Sequence, residues 1–264
     1  MPTQCAGDAR RLAAEAIASD YTTIVAAGGD GTVNEVVDGL MTLPERLRGI
    51  RFGILPLGTI NVLALELGIP FNWAKAWQLI LGEGERPIDV ARASFSGERG
   101  EVTRHFLQLA GAGWDAHAIE LVRWKLKKMI GPLAYVLAGS IALAHDNPRI
   151  TAHTSEGSAS GQLVLVGNGR FYAGRYPLFH RARYDDGLLD VCVFERFDWL
   201  SLPGYGLKFL TGRLFRPGSY YYFQTPSVKL VCDQPAALQL EGDFVGRVPA
   251  VLEVTPHQLR VAVP

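Results

Sequence analysis

The stretch Tyr21-Thr22-Thr23-Ile24-Val25-Ala26-Ala27-Gly28-Gly29-Asp30-Gly31-Thr32-Val33-Asn34-Glu35 decides the fold. Tyr21 to Ala27 reads as a buried β-strand, and Val33, Val36, Val37 and Leu40 then recur on one helical face. Glycines in the turn between them allow positive φ and let a phosphate approach the main chain with no Cβ in the way. The helix that follows offers unpaired N–H groups and the positive end of its dipole. Thr32 can cap the helix or donate a hydroxyl. Asp30 would repel a phosphate unless a cation intervenes, so it calls for Mg²⁺ or a Lys/Arg partner. Two readings stand: a phosphate cradle, or a βα turn that needs glycine for shape alone. No Lys-Ser/Thr pair follows, so this is not a Walker A loop, and it lacks the GxGxxG spacing of a dinucleotide site.

Outward from that turn, Asp8 to Ser19 has helical spacing and Arg51 to Leu55 reads as a second strand. Pro56-Leu57-Gly58-Thr59 turns this strand into a helix over Asn61 to Leu67, and Trp73 to Leu81 forms another. Strands alternating with short helices predict an α/β domain with a parallel sheet over residues 1–86. After Pro87 the chain breaks into short runs: Ile88–Ala93, Val102–Leu109, Gln162–Val166, Leu188–Phe194, Val228–Cys232, Ala237–Leu240, Val251–Val254 and Leu259–Val263. Such runs separated by turns predict an all-β second domain, a β-sandwich over residues 87–264. One helical segment, about Asp115 to His145, interrupts it.

Lys plus Arg equal Asp plus Glu at 26 each among 264 residues, which gives no basic excess to favour nucleic acid. Cys5, Cys192 and Cys232 lie too far apart for a CxxC pair, and the six histidines show no metal-ligand spacing. The expectation is a reducing cytoplasm. No signal peptide is apparent at the N-terminus. The longest apolar stretch, Met129 to Ala144, is broken by Gly131, Pro132, Gly139 and Ser140, short of the ~20 residues a spanning helix needs.

A second βα turn, Pro56-Leu57-Gly58-Thr59-Ile60-Asn61, repeats the first construction, and the two could clasp one nucleotide from two sides. Thr59 or Asn61 can equally serve as an N-cap. Gly28 to Glu35 followed by Leu55 to Val62, with Gly111-Ala112-Gly113-Trp114-Asp115, Val166-Gly167-Asn168-Gly169, Asp185 to Asp190 and Glu241-Gly242-Asp243, resembles the diacylglycerol kinase catalytic domain family over nearly the whole chain. That family includes sphingosine kinases and bacterial lipid kinases.

The resemblance implies an ATP-dependent lipid kinase acting on diacylglycerol or a sphingoid-type lipid, with a cleft for ATP·Mg²⁺ and lipid between the two domains. It implies nucleotide contacts from Thr3, Gly28, Gly29, Asp30, Gly31, Thr32, Val33, Asn34 and Thr59. It implies a structural Mg²⁺ site at Arg183, Asp186 and the carbonyl of Leu188, where Arg183 acts behind the ligands because a guanidinium cannot coordinate. The family's Asp-Gly-Glu motif reads Glu241-Gly242-Asp243 here, which makes Asp243 the expected proton acceptor, with Asp30 and Asp89 as further acids. For Asp185–Asp190 and for Glu241–Asp243 the alternatives are a surface turn and a hairpin turn.

The family pattern also leads one to expect a strand and an Asn-Pro-x-Ser-Gly turn ahead of Thr3; without them the sheet edge is exposed and ATP binding weakens. Where many relatives have Asn-Asp, this chain has Asn61-Val62. Trp124 to Lys128 with Met129–Ala144, and Trp199–Phe215 with Lys208, Arg213 and Arg216, combine apolar and basic residues, the pattern of a peripheral membrane contact or of a core with a charged edge. NAD kinase and a silent lipid- or nucleotide-binding protein are the competing functions, and a homodimer is left open.

Overall fold

The computed structural model describes residues 1–19, 21–97, 100–121, 148–172, 174–196 and 220–264. The chain opens with α1 (Asp8–Ala18), β1 (Thr23–Gly28), α2 (Asp30–Leu40), β2 (Arg51–Pro56), α3 (Val62–Glu66) and α4 (Trp73–Leu81). β1 and β2 pair in parallel, Thr23 opposite Arg51 through Gly28 opposite Pro56. This is the α/β unit that the glycine-turn stretch predicts. Val33, Val36, Val37 and Leu40 of α2 are buried against it, as the 3.6-residue period requires.

The rest is mostly antiparallel sheet: β3 (Glu85–Gly97), β4 (Gly100–Phe106), β5 (Leu109–Gly113), α5 (Trp114–Leu121), β6 (Ile150–Thr154), β7 (Gly157–Gly161), β8 (Leu163–Gly167), β9 (Leu189–Phe194), β10 (Tyr221–Thr225), β11 (Ser227–Cys232), β12 (Ala236–Leu240) and β13 (Asp243–Ala262). Val251–Val254 and Leu259–Val263, read from sequence as separate strands, run together in β13, whose pairing with β3 shifts register between Val254 and Gln258. β13 pairs with β12, β11 and β3, and at Arg260 and Val261 it joins β2 in parallel. One core holds α1, α2, β2 and also Ile88, Val90, Leu259 and Val261. A second fills the sandwich with Phe95, Phe106, Val164, Val191 and Leu252. β3 and β13 therefore thread both cores and fix the cleft between them. The predicted helix from Asp115 is described only to Leu121; its remainder, and both stretches read as membrane contacts, lie outside the described residues.

Candidate active site

The two glycine turns lie against each other. Leu57 donates its N–H to the Gly28 carbonyl at 3.0 Å, and a Cβ on Gly58 would come within 2.4 Å of the Gly29 Cα. Only glycine permits that approach. Asn61, at φ 55°, does not cap α3 through its side chain: its Oδ1 accepts the Gly58 N–H at 2.9 Å and its Nδ2 donates to the Gly58 carbonyl at 2.8 Å. Asn tolerates this left-handed conformation better than most residues. Among the described residues Asp30 pairs with neither a Lys nor an Arg. Burial raises its carboxyl above the usual range, and the backbone N–H groups of Val62, Leu63 and Asn61 oppose that shift. Those N–H groups open a helix, where no intrahelical acceptor exists.

A cleft of about 730 Å³ joins the α/β unit to the sandwich. Gly31, Asn34 and Glu35 line one side, and Glu241, Asp243 and Phe244 line the other. Asn34 Oδ1 is buried and has no hydrogen-bond partner among the described residues, an acceptor that calls for explanation. The other predicted nucleotide residues are distributed. Thr3 and Thr32 line a separate groove along β1, Thr59 is exposed, and the Val33 side chain sits in the core while its N–H bonds the Gly29 carbonyl.

Asp243 is exposed at the start of β13, just past a two-residue turn made of Glu241 (φ 54°) and Gly242 (φ 82°). Ala237–Leu240 does end in a hairpin turn, and that turn places Glu241 and Asp243 at the cleft. Glu241 Oε1 accepts the N–H groups of Leu107 at 2.8 Å and Gln108 at 2.7 Å. Burial still pushes its carboxyl up to about 7, the N–H bonds acting against the shift and the Asp30 charge with it. Gln108 extends the network: Nε2 donates to Glu66 Oε2 at 2.9 Å, and Oε1 accepts the Tyr184 hydroxyl. Glu66 Oε1 accepts the Arg170 N–H at 2.8 Å. Sequence reasoning missed Glu66, Gln108 and Tyr184, which share no motif.

On the same cleft wall, Asp38 receives Arg10 at 3.0 Å, Arg104 at 3.1 Å and His105 Nδ1 at 2.9 Å. This cluster ties α1 and α2 to β4 and was also absent from the sequence reading. Asp115 of the Gly111–Asp115 motif is internal, bonded by Tyr172 and Gln239 at 3.0 Å each. Asn168 donates to the carbonyls of Asp89 and Leu107.

At the predicted metal site, Asp186 Oδ1 accepts the Leu188 N–H at 3.1 Å, and its second oxygen has no protein donor among the described residues. Burial raises its carboxyl, and the charges of Asp89 and Asp185 add to that. Asp89 Oδ2 holds the turn by accepting the Gly187 N–H at 2.8 Å, and its Oδ1 accepts Gln258 at 3.0 Å. Arg183 bonds Asp185 at 3.1 Å and is mostly exposed. Among the described residues no three His, Cys, Asp or Glu side chains gather for a metal. A carboxylate oxygen with no protein donor among the described residues, crowded by the charges of Asp89 and Asp185, fits Mg²⁺, which takes one or two carboxylates and keeps its waters.

The family models agree with this architecture. The diacylglycerol kinase catalytic domain matches residues 1–93, and the YegS C-terminal NAD kinase beta sandwich-like domain matches residues 108–263. The diacylglycerol kinase of Bacillus subtilis (strain 168) is 30% identical over 266 residues, covering 99% of this chain and 84% of that protein. A "Probable lipid kinase YegS-like" of Xanthomonas euvesicatoria pv. vesicatoria (strain 85-10) is 32% identical over 273 residues, 98% and 84% of the two chains. The crystal structure of a diacylglycerol kinase from Bacillus anthracis str. Sterne superposes with a TM-score of 0.75 at 25% identity, covering 100% of this chain and 85% of that one. The fold and cleft are those of a phosphotransferase enzyme of the lipid-kinase class. The chain belongs to the diacylglycerol kinase catalytic domain family, with the YegS-type C-terminal sandwich.

Proposed function

We propose that this lipid kinase transfers the γ-phosphoryl group of ATP to the hydroxyl of a diacylglycerol or sphingoid-type lipid, with Asp243 accepting the hydroxyl proton. The observation that supports it best is the shared cleft: the start of α2, where anionic phosphate is favoured, faces Asp243 across one cavity. Phosphoryl transfer proceeds through a loose transition state, so positioning and charge neutralisation do most of the work. Gly31 and Asn34 bind and orient the nucleotide, and the apposed Gly29 and Gly58 hold the second turn beside it. Phe95, Val102 and Phe244 give the cleft an apolar wall for the lipid. Mg²⁺ bound near Asp186 would neutralise the acidic turn and brace it through Asp89. The family membership favours a lipid acceptor over NAD. A protein at the inner membrane face fits such a substrate, and among the described residues no helix is long and apolar enough to cross a membrane.

Label transfer from γ-labelled ATP with Mg²⁺ to lipids in mixed micelles tests the reading. Asp243→Asn is expected to lower kcat at least 100-fold with little change in the KM for ATP, since general-base contributions run about 10²–10⁴-fold. No transfer to any lipid, or full activity in the variant, would respectively remove the function and the assignment of Asp243.

A further inference from the structure

Four of the eleven large hydrophobic side chains exposed among the described residues fall within the eleven residues from Phe71 to Leu81. Phe71 is 45% exposed, Trp73 65%, Trp77 42% and Leu81 70%. Trp73, Trp77 and Leu81 stand at i, i+4 and i+8 along α4 and so share one face, about 12 Å long. The stripe beside it is engaged already: Ala76 and Ile80 are buried. The helix is held at both ends. Asn72 accepts the Lys75 N–H at 3.1 Å, and the Arg51 guanidinium bonds the carbonyls of Ile80, Leu79 and Gly84. A rigid helix therefore presents two tryptophans, a leucine and a neighbouring phenylalanine outward.

We infer that this face of α4 is a membrane-docking surface that seats the enzyme on an anionic bilayer. The inference rests on the reading of the acceptor as a lipid. Tryptophan favours the headgroup boundary, where its apolar body and its N–H are both accommodated. From Phe71 to Gly82 there is no carboxylate to repel anionic headgroups, and the one charge, Lys75, is exposed on the flank of α4 away from Trp73 and Trp77. A second copy of the chain is a poorer occupant. At 150–250 Å² per large side chain the exposed parts sum to roughly 500 Å², below the ~800 Å² per partner of a standard interface. No residue of α4 lines the interdomain cleft, so its substitution leaves the reacting groups in place.

The test is co-sedimentation of the full chain with vesicles of phosphatidylcholine alone or with phosphatidylglycerol, beside turnover of a short-chain diacylglycerol kept monomeric. The native chain should partition onto the anionic vesicles with a blue shift in tryptophan emission. Trp73→Gln with Leu81→Gln should cut that partitioning at least tenfold, with an unchanged melting temperature and unchanged turnover of the monomeric lipid. Partitioning that survives the substitutions, or a native chain that phosphorylates the monomeric lipid yet ignores vesicles, would overturn the docking surface. So would a native dimer that the substitutions dissociate. Vesicle binding lost on substitution but with no turnover of any lipid would support the surface and count against the kinase reading.

Discussion

Glu241 occupies a backbone conformation, φ 54°, that costs an ordinary L-residue roughly 1–2 kcal/mol, and it holds a buried carboxyl there as well. The return is structural: one oxygen gathers two N–H groups from the Leu107–Gln108 turn and anchors the hairpin that carries Asp243. Because burial lifts the folded carboxyl from 4.5 to about 7, the folded state binds the extra proton between those values. Its contribution to stability is thus complete below about pH 4.5 and is lost as pH rises to about 7. Glu241→Gln removes this titration while keeping an acceptor oxygen. Urea unfolding should find the variant level with the native chain near pH 4.5 and about 3 kcal/mol more stable at pH 8. An equal gain at both pH values would place the effect elsewhere. The Asp243 position was legible because its tripeptide keeps the motif's spacing even with the acids exchanged. Glu66, Gln108 and Tyr184 were not legible: they meet only after three distant turns fold together, and no periodicity records that meeting.

Among the elements, α4 shows how tightly helix and sheet are matched. A Cβ on Gly53 of β2 would lie 2.9 Å from both Cδ1 and Cγ1 of Ile80, so the helix sits where the strand has no side chain. Gly53→Ala should cost about 1–3 kcal/mol by overpacking. Combining it with Ile80→Ala should leave the double variant at least about 1 kcal/mol more stable than the sum of the single losses predicts, measured by denaturant unfolding. Additive losses would mean that the helix shifts freely. Periodicity revealed α4 from Trp73 to Leu81 with its observed ends, and it found α1, α2, β1, β2 and most of the sandwich strands. It missed β5, Leu109–Gly113, and β7, Gly157–Gly161, because glycine, alanine and serine carry little strand propensity, and it missed β6, Ile150–Thr154, and β10, Tyr221–Thr225, which are short runs of five residues. Their pairing is imposed by neighbours: β5 lies between β8 and β12, and β7 pairs with β6. The membrane-facing stripe escaped notice for a related reason, since spacing alone cannot say which face of an apolar helix is covered.

For the whole molecule, the decisive feature is that β13 returns from the sandwich into the core of the α/β unit. Leu259 and Val261, near the C-terminus, are fully buried in the core of the α/β unit, next to Phe52 and Ile88. β13 carries them there directly from the sandwich, and β3 runs beside it in the other direction. Neither unit can shed its shared strands without opening the other's core, so the two should unfold together. Leu259→Ala, a cavity in the first core, is expected to cost about 3 kcal/mol. Calorimetry should show one transition moved to lower temperature. Hydrogen exchange should show amides of β8, in the sandwich, losing as much protection as those of β1. Of the two register shifts in the β3–β13 pairing, at Arg247/Ala250 and at Val254/Gln258, the second lies just ahead of Leu259 and is where the coupling could yield. Two resolved transitions, with β8 protection untouched by Leu259→Ala, would show that the strand breaks there and that the cleft is a hinge between independent halves.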